Sequence, residues 1–114
     1  MPVLKIQTNL AISEQEQNDV LKAVSRLAAK ELGKPERYVM VSIEAAATML
    51  FGGTDDPCAF VELFSLGLLA DQASRLSAMI CGLLKESLKF DPRRVYIRMS
   101  DHPANLWGWN GETF

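Results

Sequence analysis

With 114 residues, 48% of them hydrophobic and 23% charged, the chain has material for one modest core and too little charge to stay unfolded. A net charge of −2 and a pI near 5.3 argue against nucleic acid as a partner, and no stretch approaches the length of a transmembrane helix. One domain over residues 1–114 is expected, small enough for oligomerisation to help stabilise it.

The chain opens "MPVLKIQTN", with neither a basic n-region nor an apolar h-region, so the cytoplasm is the default location. Leu4 and Ile6 alternate with Lys5 and Gln7, the period of a half-buried strand. Pro2 has two readings. It starts a strand, where a missing N–H costs little. Or, because methionine before a small residue is normally removed, it becomes the N-terminus and presents a free secondary amine able to act as a base.

In "SEQE", Ser13 caps a helix and Glu16 completes a capping box. Val20, Leu21, Val24, Leu27, Ala28 and Leu32 then fall on one helical stripe, which stops at Gly33 with Pro35 just beyond. "RYVMVSIE" reads as a strand with Val39, Val41 and Ile43 facing one way, which completes a βαβ unit. The turn-rich "AAATMLFGGTDDP" leads to a strand, "CAFVELFSL". A second helix runs from about Ala70 with Leu76, Met79, Ile80, Leu83, Leu84 and Leu88 on its stripe, and "DPRRVYIRMS" supplies a fourth strand.

The order has repeated. Pro35 and Pro92 stand 57 residues apart, half the chain, and the same offset pairs Leu4 with Val61 and Ile6 with Leu63, with a one-residue slip in the last strands. The predicted fold is α/β: two βαβ units form a four-stranded mixed sheet with two helices on one face. The other face would carry Tyr38, Met40, Phe60, Phe64, Tyr96 and Arg98, a mixed aromatic and polar set too large to leave wet, so self-association is expected to cover it. The tail "NLWGWNGETF" is expected to add a strand or hairpin to a neighbour's sheet.

Cys58 and Cys81 form no C-x-x-C, which argues against a redox pair or thiolate metal site. The single histidine, His102 in "SDHPAN", cannot build a zinc site alone and reads as part of a turn. No metal site is expected.

The opening "MP…TN", then "GKP", "FGGTDDPCA", "CGLL", "RVYI" and the terminal "GWNGETF" occur in order along the whole chain. With them the sequence resembles the macrophage migration inhibitory factor family of the tautomerase superfamily. The resemblance implies a homotrimer of subunits holding two βαβ units each, with a pocket at each subunit interface and the exposed N-terminal proline, here Pro2, as catalytic group. The family's pocket lysine falls on Lys34, and its carboxylate-contacting backbone position on Leu66 in "FSL", with Ser65 beside it in the substrate-binding set. A tyrosine from the adjacent subunit is matched by Tyr96. The family's neighbouring asparagine is Arg98 here, a departure. The C-x-x-C of vertebrate members is also missing, since Val61 follows Cys58 at its second position, so a thiol oxidoreductase activity is not carried over.

Moving a proton from the carbon beside a keto group to oxygen needs a base of near-neutral pKa and a group to hold the developing enolate. An ordinary α-amine titrates at about 7.7–8.0. Desolvation in an apolar pocket and repulsion from Lys34 and Arg98 would lower it for Pro2. Lys34 also offers its ammonium to a substrate carboxylate; the competing reading is a solvated lysine after a helix. Tyr96, Trp107, Trp109 and Phe114 form an aromatic wall for an aryl substrate or serve only as packing. Arg98 either favours dicarboxylates or pairs with Glu62 or Glu44.

The expected function is cofactor-independent keto–enol tautomerisation of aryl α-keto acids such as phenylpyruvate, with Pro2 as general base. The alternative is a cytokine-like interaction protein with a relic pocket, which by resemblance would also be secreted non-classically. A dehalogenase or decarboxylase of the same superfamily is a third reading.

Overall fold

A computed structural model describes residues Met1–Phe114. Strand β1 (Val3–Thr8) is followed by helix α1 (Glu14–Leu32), β2 (Met40–Glu44), β3 (Ala59–Leu66), α2 (Ala70–Leu88) and β4 (Val95–His102). A short hairpin, β5 (Gly108–Trp109) with β6 (Glu112–Thr113), ends the chain. The four long strands form one sheet in the order β2-β1-β3-β4. β1 runs parallel to β2 and β3 parallel to β4, while β1 and β3 meet antiparallel at the centre. This is the mixed sheet expected of two βαβ units. No helix is long and apolar enough to cross a membrane.

Local chemistry sets the helix ends as the sequence indicates. The Ser13 hydroxyl caps α1, accepting from the Glu16 amide at 3.2 Å and donating to the Glu16 carboxylate at 2.9 Å. The Ser13 main-chain amide makes no bond to Glu16, so the capping box is only half formed. At the other end Gly33 turns left-handed at φ 63°, and the Gly33 and Lys34 amides return to the carbonyls of Lys30 and Ala29. α2 closes the same way with Lys89 at φ 63°, a lysine where α1 has glycine.

The core lies between the helices and one sheet face. Val20, Val24, Ala28 and Leu32 of α1 and Leu76, Ile80, Leu84 and Leu88 of α2 close over Leu4, Ile6, Val61 and Leu63. The duplication follows two offsets. Leu4, Ile6 and Thr8 match Val61, Leu63 and Ser65 at 57 residues, and the buried residues of α1 match those of α2 at 56. The slip therefore opens before the second helix and carries through to the last strands, where Val41 and Ile43 match Ile97 and Met99 at 56. Thr8 and Ser65 continue the inward alternation as buried polar residues. The Thr8 hydroxyl donates to the Cys58 carbonyl at 2.7 Å.

The opposite face carries Met40, Phe60, Phe64, Tyr96 and Arg98, as the alternation predicts. Tyr38 borders it without belonging to a strand. Residues Glu36–Tyr38 form a 3₁₀ turn after Pro35, so the strand read at "RYVM" starts only at Met40. His102 is likewise not in a turn. It is the last rung of β4, held opposite Leu66 before Pro103 ends the ladder.

Candidate active site

β1 begins one residue after Pro2, which is fully buried, and the Pro2 carbonyl accepts from the Met40 amide at 3.0 Å. That bond holds the chain start against β2. Met1 projects beyond it into a cleft of about 230 Å³ whose lining includes Tyr38, Met40, Trp107, Trp109 and Phe114. The carboxy-terminal segment forms one wall. The Phe114 amide donates to the Trp107 carbonyl at 3.1 Å, Trp109 and Phe114 stack at 6.0 Å between centroids, and Trp107 meets His102 edge-on at 5.7 Å. The tail thus lies on its own chain, over the Pro2 end of the sheet.

Met1 acylates Pro2 in this chain, so the free amine belongs to Met1. Desolvation first, and the Lys34 ammonium second, hold that amine below its ordinary value of 8.0. Lys34 is half-buried just past the αL turn of Gly33, and its charge reaches the chain start. The α1 termination therefore delivers a cation to the same end of the sheet as Pro2.

Ser65 and Leu66 end β3 at this same end. The Ser65 side chain is turned inward, its Oγ buried without a hydrogen-bond partner, whereas Leu66 faces the open side opposite His102. Tyr96 and Arg98 are not brought to the cleft. Tyr96 pairs with Phe60, four residues along β3 from Phe64, the partner of Val3. That is roughly 13 Å at the rise of a strand. Tyr96 is 66% exposed and lies instead beside Phe51, Leu50 and Met49 in an apolar cleft of about 380 Å³. Arg98 is exposed opposite Glu62 in register but forms no ion pair with it or with Glu44, which accepts from Gln7. No group of three His, Cys, Asp or Glu side chains is arranged to hold a metal ion.

Two lining residues escape a reading by periodicity. Tyr38 packs edge-on against Trp109, and the Arg37 guanidinium stacks 4.8 Å above the Tyr38 ring. Both stand in the 3₁₀ turn, whose only sequence signal is the preceding Pro35.

Comparison with known proteins agrees over the full length. The model of the family described as macrophage migration inhibitory factor (MIF) matches residues 1–114. The chain is 40% identical over 115 residues to the macrophage migration inhibitory factor homolog of Trichuris trichiura, with 100% of both covered. It is 36% identical over 115 residues to the Mus musculus macrophage migration inhibitory factor, covering 100% of this chain and 99% of that one. Among solved structures, the macrophage migration inhibitory factor homologue from Prochlorococcus marinus superposes with a TM-score of 0.93 at 37% identity, covering 98% of each chain.

Proposed function

This chain belongs to the macrophage migration inhibitory factor family, and on that premise we propose that it is a cofactor-independent keto–enol tautomerase of aryl α-keto acids such as phenylpyruvate. Its working form is a homotrimer in which Pro2, exposed by loss of Met1, is the general base. The observation that carries this reading is the depressed amine at the chain start, beside the Lys34 cation and at the mouth of an aromatic cleft. With Met1 gone, the amine in that place is the secondary amine of Pro2. The same desolvation and the same cation disfavour its protonated form.

In the reaction the neutral Pro2 nitrogen takes a proton from the carbon beside the keto group. The C–H electron pair becomes the C=C bond, the C=O π pair moves onto oxygen, and that oxygen takes the proton back from the Pro2 ammonium, which returns the amine to its neutral form as the enol leaves. Lys34 pairs with the substrate carboxylate, and Ser65 and Leu66 end their strand where that group would lie. Trp107, Trp109 and Phe114 with Tyr38 give the aryl ring an apolar wall. Tyr96 stands toward the far end of the sheet and Arg98 at its central row in their own chain, both outside the cleft at Pro2, which fits a site that borrows them from a neighbouring subunit.

The test is phenylpyruvate turnover by protein freed of Met1, compared with its Pro2→Ala variant. Saturable turnover lost in the variant supports the proposal. An intact trimer without turnover but with a specific protein ligand points to the alternative, a cytokine-like interaction protein.

A further inference from the structure

We propose that Arg94 is a positioning residue for Tyr96: with Asn9 it fixes residues 51–57 as the buttress on which the Tyr96 ring rests. The inference rests on the reading above, in which Tyr96 completes a neighbour's site.

Arg94 ends the 3₁₀ turn before β4 (Pro92–Arg94), two residues ahead of Tyr96. Its guanidinium has no carboxylate partner and donates only to main-chain carbonyls. Nε reaches Pro57 at 3.1 Å, Nη1 reaches Phe51 at 3.1 Å, and Nη2 reaches Thr54 at 3.2 Å and Asp56 at 3.0 Å. Four of the five donors of one rigid fork are thus spent on a single loop. The neighbouring Arg93 shows the ordinary alternative, pairing with the Asp91 carboxylate.

The loop cannot hold this shape by itself. Within residues 51–57 the main chain makes only the reciprocal Phe51–Thr54 bonds, around Gly52 and Gly53 at φ 59° and 81°. From the other side Asn9 Nδ2 donates to the Asp55 and Asp56 carbonyls at 3.0 and 3.2 Å, while its Oδ1 accepts from the Cys58 amide at 2.9 Å. Two side chains therefore satisfy five of the loop's seven carbonyls.

What the clamp presents is Phe51. The Arg94 guanidinium carbon stands 5.2 Å from the Phe51 ring centroid, and Phe51 packs on Tyr96 at 4.8 Å with the planes tilted by 51°. Tyr96 is exposed on its remaining side, so Phe51 is the aromatic surface that limits where its hydroxyl points. Asn9, "FGGTDDPC" and Arg94 come from three separate stretches of sequence, none of which supplies a reacting group. Their meeting point is this corner.

The experiment uses Met1-free protein and the variants Arg94→Lys, Tyr96→Phe and their combination, assayed for kcat and KM on phenylpyruvate. Lysine keeps the charge but not the fork. The expected result is a KM raised on the order of tenfold by either substitution with kcat nearly unchanged, and no further rise in the double variant. An unchanged KM in Arg94→Lys beside a raised KM in Tyr96→Phe overturns the positioning role and leaves the tautomerase reading intact. A second readout does not need activity. The chain has two tyrosines, so 3-fluorotyrosine labelling gives two 19F resonances, assigned with Tyr96→Phe. Arg94→Lys, or Phe51→Leu where the first variant fails to fold, should move the Tyr96 signal and leave that of Tyr38. A Tyr96 signal that stays in place overturns the proposal whatever the turnover.

Discussion

Tyr38 meets Trp109 edge-on, with 5.5 Å between ring centroids and 87° between planes, which ties the turn after α1 to the carboxy-terminal hairpin. The positive ring edge of one aromatic against the face of another is a favourable arrangement, worth about 0.5–1.5 kcal/mol beyond area burial. Trp109 is 52% exposed, so it adds little to the core and much to the cleft wall. Trp109→Ala should lower stability by only about 1 kcal/mol in denaturant unfolding. KM for phenylpyruvate should rise more than kcat falls. A loss of several kcal/mol with unchanged KM would make the ring structural.

The amine at the chain start is held down by desolvation and by Lys34, and removing the cation should release part of that depression. Lys34→Met should raise the amine pKa toward 8.0, as an NMR titration of the isotope-labelled terminus would show. The sign for stability follows. A folded pKa below the unfolded one means that unfolding takes up protons, so stability rises with pH across the window ending near 8.0. In Met1-free protein the acid limb of kcat/KM should shift to higher pH in the variant, because the proposed base is the neutral amine. An unmoved limb would separate Lys34 from Pro2.

Arg98 lies exposed and unpaired in the central row of the open face, beside Glu62 and one strand from Lys5. Its charge is thus free to meet a ligand at the proposed subunit interface. Arg98→Asn should raise turnover of phenylpyruvate relative to dicarboxylic keto acids. An unchanged ratio would show that Arg98 stays outside the pocket.

Local signals carried most of the fold. The Ser13 cap, the Gly33 stop and the two apolar stripes depend on residues within a few positions of one another, and each lies where the spacing puts it. Tyr38 was illegible because a 3₁₀ turn after Pro35 looks like the start of the next strand. Pro35 and Pro92 also misled: they match at 57 although the helices around them match at 56, one preceding its turn and the other opening it. For the site, Trp107, Trp109 and Phe114 could be named from the tail, but not that the tail folds back over its own Met1. The separation of Tyr96 from Pro2 follows from the antiparallel β1–β3 pairing, which no single segment encodes.

The two helix ends make a stability prediction. Gly33 and Lys89 both adopt φ 63°, but only glycine does so without a Cβ penalty. Lys89 contributes one exposed 3.3 Å hydrogen bond to the Glu86 carbonyl, which offsets little. Lys89→Gly should therefore stabilise the protein by about 0.5–1 kcal/mol, and Gly33→Ala should destabilise it by a similar amount. Urea midpoints compared at equal m-values would decide it.

Activity should depend wholly on the loss of Met1. While it remains, the Pro2 nitrogen is a tertiary amide whose lone pair is delocalised into the carbonyl, so it can neither take nor give a proton near neutral pH. Met1 also lines the cleft formed by Tyr38, Trp107, Trp109 and Phe114, the space assigned to the aryl ring. Its own primary amine, though depressed, sits one residue farther out and is not the group that β1 anchors. Mass spectrometry can quantify the two forms in one preparation, and aminopeptidase treatment that stops at Met1 converts one into the other. Phenylpyruvate turnover should rise in proportion to the processed fraction, from nearly none in fully retained protein. Equal turnover by the Met1-bearing form would refute the proline base and leave Pro2 as the residue that starts a strand.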